Sequence, residues 1–122
     1  MNGAQVLVEM PLAHGVRHPF GVPGDTSLAW HDALYAARDR VTCSLARGER
    51  SAGFMADVYA RLTGRPAVCE GPGGAGATYM VPALADANGS PVPLLALTTD
   101  NPTAYAWQGA LSVACLSEAA RG

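Results

Sequence analysis

The 122-residue sequence contains neither lysine nor isoleucine, and only 15% of its residues are charged, for a net charge of −2. Without lysine there is no P-loop lysine to reach nucleotide phosphates. All eight basic residues are arginine. Both missing residues use A/T-rich codons, so this points to a G/C-rich coding sequence rather than to a functional demand for arginine. With no basic excess, neither nucleic acid nor an anionic membrane surface is an expected partner. No apolar run approaches the ~20 residues that cross a bilayer, and the N-terminus lacks a basic region followed by an apolar core and cleavage site. The expected location is therefore the cytoplasm. Cys43, Cys69 and Cys115 are odd in number and widely spaced, with no CxxC or nearby histidine pair, so two of them are expected in buried strands as small apolar residues. His14, His18 and His31 share no metal-ligand spacing, and no serine sits in a Gly-x-Ser-x-Gly elbow.

What is present is a hydrophobic fraction of 49%, which places the chain among globular proteins with room for one domain and a modest core. Apolar spacing predicts a first helix over Ala4 to His14, interrupted by Pro11 and stopped at Gly15. A strand from Val16 to Gly21, with Pro19 awkwardly inside it, leads to the turn Gly21-Val22-Pro23-Gly24. Asp25-Thr26-Ser27 then caps a helix through Ala37. Next come a strand over 41–45, a helix over 49–63 closed by Gly64, a strand from Ala67 to Glu70 and a glycine-rich loop from Gly71 to Gly76. A helix over 77–87, the turn Asn88-Gly89-Ser90-Pro91 and a strand from Val92 to Thr98 complete the pattern. Asn101 to Ala110 reads as loop, and Val113 to Gly122 as a weak helix or frayed end. The strands are continuous apolar runs, as in a parallel sheet covered on both faces. The expected fold class is α/β, a doubly wound, mainly parallel sheet with helices on both faces.

Three loops leave this sheet at one edge, where ligands of open α/β sheets sit. Glu49 opens a helix there; the exposed amides and partial positive charge of a first helical turn keep a carboxylate ionised. It either complements the helix dipole or holds, and exchanges a proton with, a ring nitrogen of a ligand. The loop Gly71-Pro72-Gly73-Gly74-Ala75-Gly76 matches G-x-G-x-x-G, with Asp100 ending the next strand as a ribose ligand. That is a nucleotide-binding reading, weakened by Pro72 and by the two strand-helix units that precede it; the alternative is a tight turn. Asp25 handles protons or caps its helix.

Together the three loops resemble a known family. Phe20-Gly-Val-Pro-Gly24 is one of them. Arg47-x-Glu49, followed by Ala52-Gly-Phe-Met-Ala-Asp-Val-Tyr-Ala-Arg61 and Thr63-Gly64, is the second. Glu70-Gly-Pro-Gly-Gly-Ala-Gly-Ala-Thr78 is the third. In this order they resemble the N-terminal, pyrimidine-binding domain of thiamine-diphosphate-dependent enzymes of the acetolactate synthase, benzoylformate decarboxylase and pyruvate decarboxylase group. The resemblance divides the chain into an incomplete pyrimidine-binding domain over 1–111 and a divergent tail over 112–122.

The resemblance implies that Glu49 is catalytic, contacting the ring nitrogen of the cofactor's aminopyrimidine and promoting its imino tautomer, with Gly73 and Gly74 also against the cofactor. Val22, Pro23, Gly24, Asp25, Gly71 and Pro72 match segments lining the substrate cleft. It further implies a small 2-keto acid substrate, decarboxylated or ligated, and a site shared with a diphosphate-binding domain or subunit in a homo- or hetero-oligomer. Mg²⁺ is expected on that partner domain, since no Gly-Asp-Gly motif occurs in these 122 residues. The chain alone is then expected to be catalytically incomplete. An inactive truncated remnant is the other reading. Gly48 stands where many relatives have histidine, and the ending Ala77-Thr78-Tyr79 is closest to acetolactate-synthase-like members of undefined specificity.

Overall fold

The computed structural model describes residues 1–100 and Ala104. Helix α1 (Gly3–Ala13) begins at a capping box: Asn2 Oδ1 accepts from the Gln5 amide and Gln5 Oε1 accepts from the Asn2 amide, both at 2.9 Å. Pro11 lies within α1, which is held by Val8 and Leu12 in the core. Gly15 follows the helix with φ 84°, a left-handed stop that a side chain would strain.

Strand β1 (Pro19–Gly21) is shorter than the expected 16–21, because proline has no amide for the ladder and is tolerated as a strand's first residue. A 3-10 turn (Asp25–Ser27) precedes α2 (Leu28–Ala36). Strand β2 is only Ser44–Leu45; turns after α2 persist to Val41, whose amide donates to the Ala37 carbonyl at 3.1 Å. Then follow α3 (Glu49–Thr63), β3 (Ala67–Gly71), α4 (Ala75–Gly89) and β4 (Leu94–Thr98). Gly64 closes α3 at φ 63°, as expected. Helix α4 is longer than 77–87 at both ends and runs through Pro82, so Asn88 and Gly89 end a helix rather than form a separate turn. Strand β4 starts two residues late, after Pro91 and Pro93.

The four strands are all parallel, in the order β2-β1-β3-β4. One core, built on Val8, Leu12, Trp30, Leu34 and Val68, lies under α1 and α2. The other, built on Phe20, Ala52, Ala56, Cys69 and Met80, lies under α3 and α4. This is the expected doubly wound α/β sheet. Alternation along β3 divides its residues between the two cores, Val68 to the first and Ala67 and Cys69 to the second. Helices α3 and α4 approach so closely that a Cβ on Gly53 would lie 2.6 Å from the Ala83 Cβ. Arg61 ties the same pair, donating to Asp57 Oδ2 at 2.7 Å and to Asp86 Oδ2 at 3.1 Å.

The readings for Asn101 to Ala110, Leu111 and Val113 to Gly122, Cys115 included, lie outside the described residues apart from Ala104.

Candidate functional site

The strand order sets the site. From β1 the chain moves outward to β2, then crosses back to place β3 on the other side of β1. The connections leaving β1 and β3 at their carboxyl ends therefore diverge, which opens a crevice at that edge. Gly21-Val22-Pro23-Gly24-Asp25 leaves β1, Arg47-Gly48-Glu49 follows β2, and Gly71 to Gly76 leaves β3.

The β1 loop is closed by Ser27. Its Oγ accepts from the Gly24 amide at 3.1 Å and donates to the Gly24 carbonyl at 3.2 Å. Of the three residues expected to cap this helix, Ser27 takes the N-cap position of α2 but turns its hydroxyl back to Gly24 and gives the helix no side-chain cap bond, and Asp25 is exposed at the first position of the 3-10 turn. Thr26 holds the glycine loop: its Oγ1 accepts from the Gly73 amide at 3.0 Å and from Thr99 Oγ1 at 2.7 Å. Gly24 sits against the Pro72 ring, where a Cβ would come within 2.5 Å. A Cβ on Gly73 would strike the Thr99 carbonyl. Gly74, at φ 75°, turns the chain into α4. Gly24 and Pro72 are thereby brought into contact, while Val22 is half-buried and Pro23 exposed in the same β1 loop.

Glu49 is the first residue of α3, after the extended Gly48. Its side chain reaches across to the β3 loop, with Cγ 3.0 Å from where a Cβ on Gly71 would stand and Oε1 3.1 Å from the corresponding point on Gly76. Glycine at 71 and 76 leaves room for the carboxylate. Glu49 is half-buried, and its carboxylate makes no hydrogen bond or ion pair among the described residues. A carboxyl group at a cleft edge with no protein partner has its oxygens open to a ligand's donors.

Sequence reasoning missed a second carboxylate as a site residue. Glu70, the penultimate residue of β3, is 2% exposed, and its Oε2 lies 3.0 Å from His31 Nε2 on α2. Burial pushes the Glu70 carboxyl up; Ser27 and His31 oppose this, and the nearby Glu49 adds to it. Glu70 Oε1 is buried with no hydrogen-bond partner among the described residues. The available signal was a glutamate ending an otherwise apolar strand, a position that is rarely charged unless paired.

Cys69 is buried in β3, as expected for one of the two strand cysteines, while Cys43 is half-buried one residue before β2. Among the described residues no cluster of histidine, cysteine, aspartate and glutamate could hold a metal ion. No helix among them is long and apolar enough to cross a membrane.

Comparison with known proteins agrees with this geometry. Residues 1–119 match the family described as thiamine pyrophosphate enzyme, N-terminal TPP binding domain. An acetolactate synthase of Arthrospira platensis is 40% identical over 104 residues, 84% of this chain and 18% of the relative. A probable chloroplastic acetolactate synthase 2 of rice is 43% identical over 101 residues, 83% of this chain and 15% of the relative. The acetolactate synthase isozyme 1 large subunit of Escherichia coli is 39% identical over 101 residues, 83% of this chain and 18% of the relative. The chain thus spans less than a fifth of the length of these relatives. It belongs to the thiamine pyrophosphate enzyme family, of which it carries the N-terminal TPP binding domain.

Proposed function

We propose that this chain supplies the pyrimidine-binding half of a thiamine diphosphate site, in an acetolactate-synthase-like enzyme that decarboxylates or ligates 2-keto acids. The observation that carries this reading is the Glu49 carboxylate, half-buried and without a partner among the described residues, poised over Gly71 and Gly76 at the carboxyl edge of the sheet.

The residues present suit the aminopyrimidine. A carboxylate at a helix N-terminus accepts a hydrogen bond from a protonated ring nitrogen, and the side-chain-free Gly71 and Gly76 leave space for a flat ring beside it. Glu49 holds or returns a proton at that nitrogen. Gly73 has given its amide to Thr26, so with Gly74 it contributes backbone surface at the ring rather than a free donor at that amide. Val22, Pro23, Gly24, Asp25, Gly71 and Pro72 form the adjoining wall for a small 2-keto acid. When bound, the cofactor supplies the carbanion-stabilising chemistry. The resemblance assigns Mg²⁺ and the diphosphate group to a separate diphosphate-binding domain or subunit.

A partner also accounts for the exposed surface of α3. Phe54, Met55, Val58 and Leu62 line an open apolar groove beside Phe20 and Tyr59, and Leu62 is 82% exposed. This surface suits burial in a homo- or hetero-oligomer. A nucleotide-binding role for the Gly71–Gly76 loop is less well supported: the Gly73 amide is engaged, and Pro72 has none to give.

Calorimetry tests the proposal. Thiamine diphosphate with Mg²⁺ should bind weakly to the chain alone and tightly once a diphosphate-binding domain of an acetolactate synthase is added, with Glu49→Gln removing the gain. Tight binding by the lone chain, or indifference to Glu49→Gln, would show the shared-site reading to be wrong.

A further inference from the structure

Two threonines stand at the same sheet edge outside the site proposed above. Thr26 lies in the 3-10 turn after β1, Thr99 follows directly on β4, and β3 runs between those two strands. Strands with one strand between them are separated by about 10 Å, twice the ~4.8 Å spacing of neighbours. Their connections nevertheless meet at the end of β3. Thr26 Oγ1 accepts from Thr99 Oγ1 at 2.7 Å and from the Gly73 amide of the β3 loop at 3.0 Å. Gly73 and Thr99 are 47 and 73 positions beyond Thr26 along the chain. Among the described residues, no other hydrogen bond joins the β1 connection to the glycine loop or to the end of β4.

Close contacts around these bonds leave the loop little freedom. A Cβ on Gly73 would lie 2.4 Å from the Thr99 carbonyl oxygen, so the backbone of the loop already touches the end of β4. Pro72 rests its ring on Gly24 and Gly76, 2.5 and 2.8 Å from where their Cβ atoms would stand. Gly76 in turn faces Glu49 Oε1, and Gly71 faces Glu49 Cγ. Pro72 has no amide with which to anchor the loop, and the Gly73 amide takes that part. The backbone opposite the Glu49 carboxylate is therefore anchored through one hydroxyl.

We infer that Thr26 is a positioning residue: its hydroxyl clasps the glycine loop to the β1 and β4 connections and so fixes the backbone that faces Glu49. It acts through the loop, with no contact of its own to cofactor or substrate. Thr26, Gly73 and Thr99 belong to neither hydrophobic core, so losing the clasp should loosen the edge and leave the sheet folded. The link from loop to cofactor rests on the function proposed above; the clasp itself does not.

Amide hydrogen exchange on the full chain and calorimetry on the reconstituted complex test this together. Thr26→Val keeps the shape of the side chain and removes the acceptor. It should speed exchange of the Gly73 amide about tenfold or more, while the Val68 and Cys69 amides within β3 keep their protection. Thr26→Ser retains the hydroxyl and should exchange as the wild type does. Thr99→Val leaves Thr26 free to accept from Gly73, so its effect should be the smaller. With a diphosphate-binding domain of an acetolactate synthase added, Thr26→Val should weaken thiamine diphosphate binding about tenfold, and Thr26→Ser should leave it unchanged.

Unaltered Gly73 exchange in Thr26→Val overturns the clasp. So does an equal acceleration at Val68 and Cys69, which would mark a loss of stability throughout the chain. Wild-type cofactor binding by Thr26→Val, while Glu49→Gln still removes the gain, overturns the positioning role alone. Binding that is indifferent to Glu49→Gln overturns the cofactor reading and the positioning role with it, and the exchange rates then decide the clasp by themselves.

Discussion

Glu49 Oε1 and the α-carbon of Gly76 are so close that a Cβ on Gly76 would lie 3.1 Å from that oxygen and 2.8 Å from two carbons of the Pro72 ring. The helix that presents the candidate acid and the loop facing it are therefore fitted to each other at one atom.

Gly76→Ala accordingly tests the site and the packing together. The proline ring has little freedom to yield, so overpacking should cost about 1–3 kcal/mol, read as a lower urea midpoint. The Glu49 side chain should be displaced as well. In a reconstituted complex, Gly76→Ala should then weaken thiamine diphosphate binding more than Ala75→Ser, an exposed change one residue earlier on α4. Equal binding by the two variants would refute the close fit.

Cys69 should be chemically silent in the native chain. Burial pushes its thiol up to about 11, and its side chain is fully enclosed beneath α3 and α4. Iodoacetamide at about pH 8 should leave Cys69 unmodified until urea unfolds the chain, whereupon it should label as an ordinary thiol. Peptide mass spectrometry reads the result directly. Labelling of Cys69 without denaturant would contradict its placement in β3.

Stability should fall with rising pH across a window set by Glu70. Its folded carboxyl lies above the ordinary glutamate value, so within that interval the native state binds the proton more tightly than the unfolded chain. The stabilisation is complete below the unfolded value of about 4.3 and is lost as pH rises through the folded one. Glu70→Gln, which cannot ionise, should flatten this dependence. Urea midpoints for both proteins at several values between about pH 4 and pH 8 check it. Parallel curves would show that Glu70 is not the group responsible.

Much of the architecture was legible along the chain. The apolar runs, the glycine at 64 and the spacing of α3 specified a parallel sheet alternating with helices, and every predicted helix and strand through Thr98 is present, though with altered ends. The ends were less legible. Proline at 19, 91 and 93 trimmed β1 and β4, whereas proline at 11 and 82 did not break α1 or α4. Propensity treats all five alike, but packing decides which helices survive the loss of an amide.

For the site, the chemical inventory is written along the chain: a carboxylate at the start of a helix, two glycine-bearing loops and, through their joint order, the family. Local rules could not raise Glu49 above a helix-end charge, because dipole complementarity explains a glutamate there equally well. The tertiary structure decided the rest. Only the crossover from β2 back to β3 brings Glu49 over Gly71 and Gly76, 22 and 27 positions further along the chain. Only the packing of α2 on the sheet joins His31 to Glu70, 39 positions apart. Sequence periodicity records which face of its own element a residue occupies; which charges then meet across that face is set by strand order and helix packing.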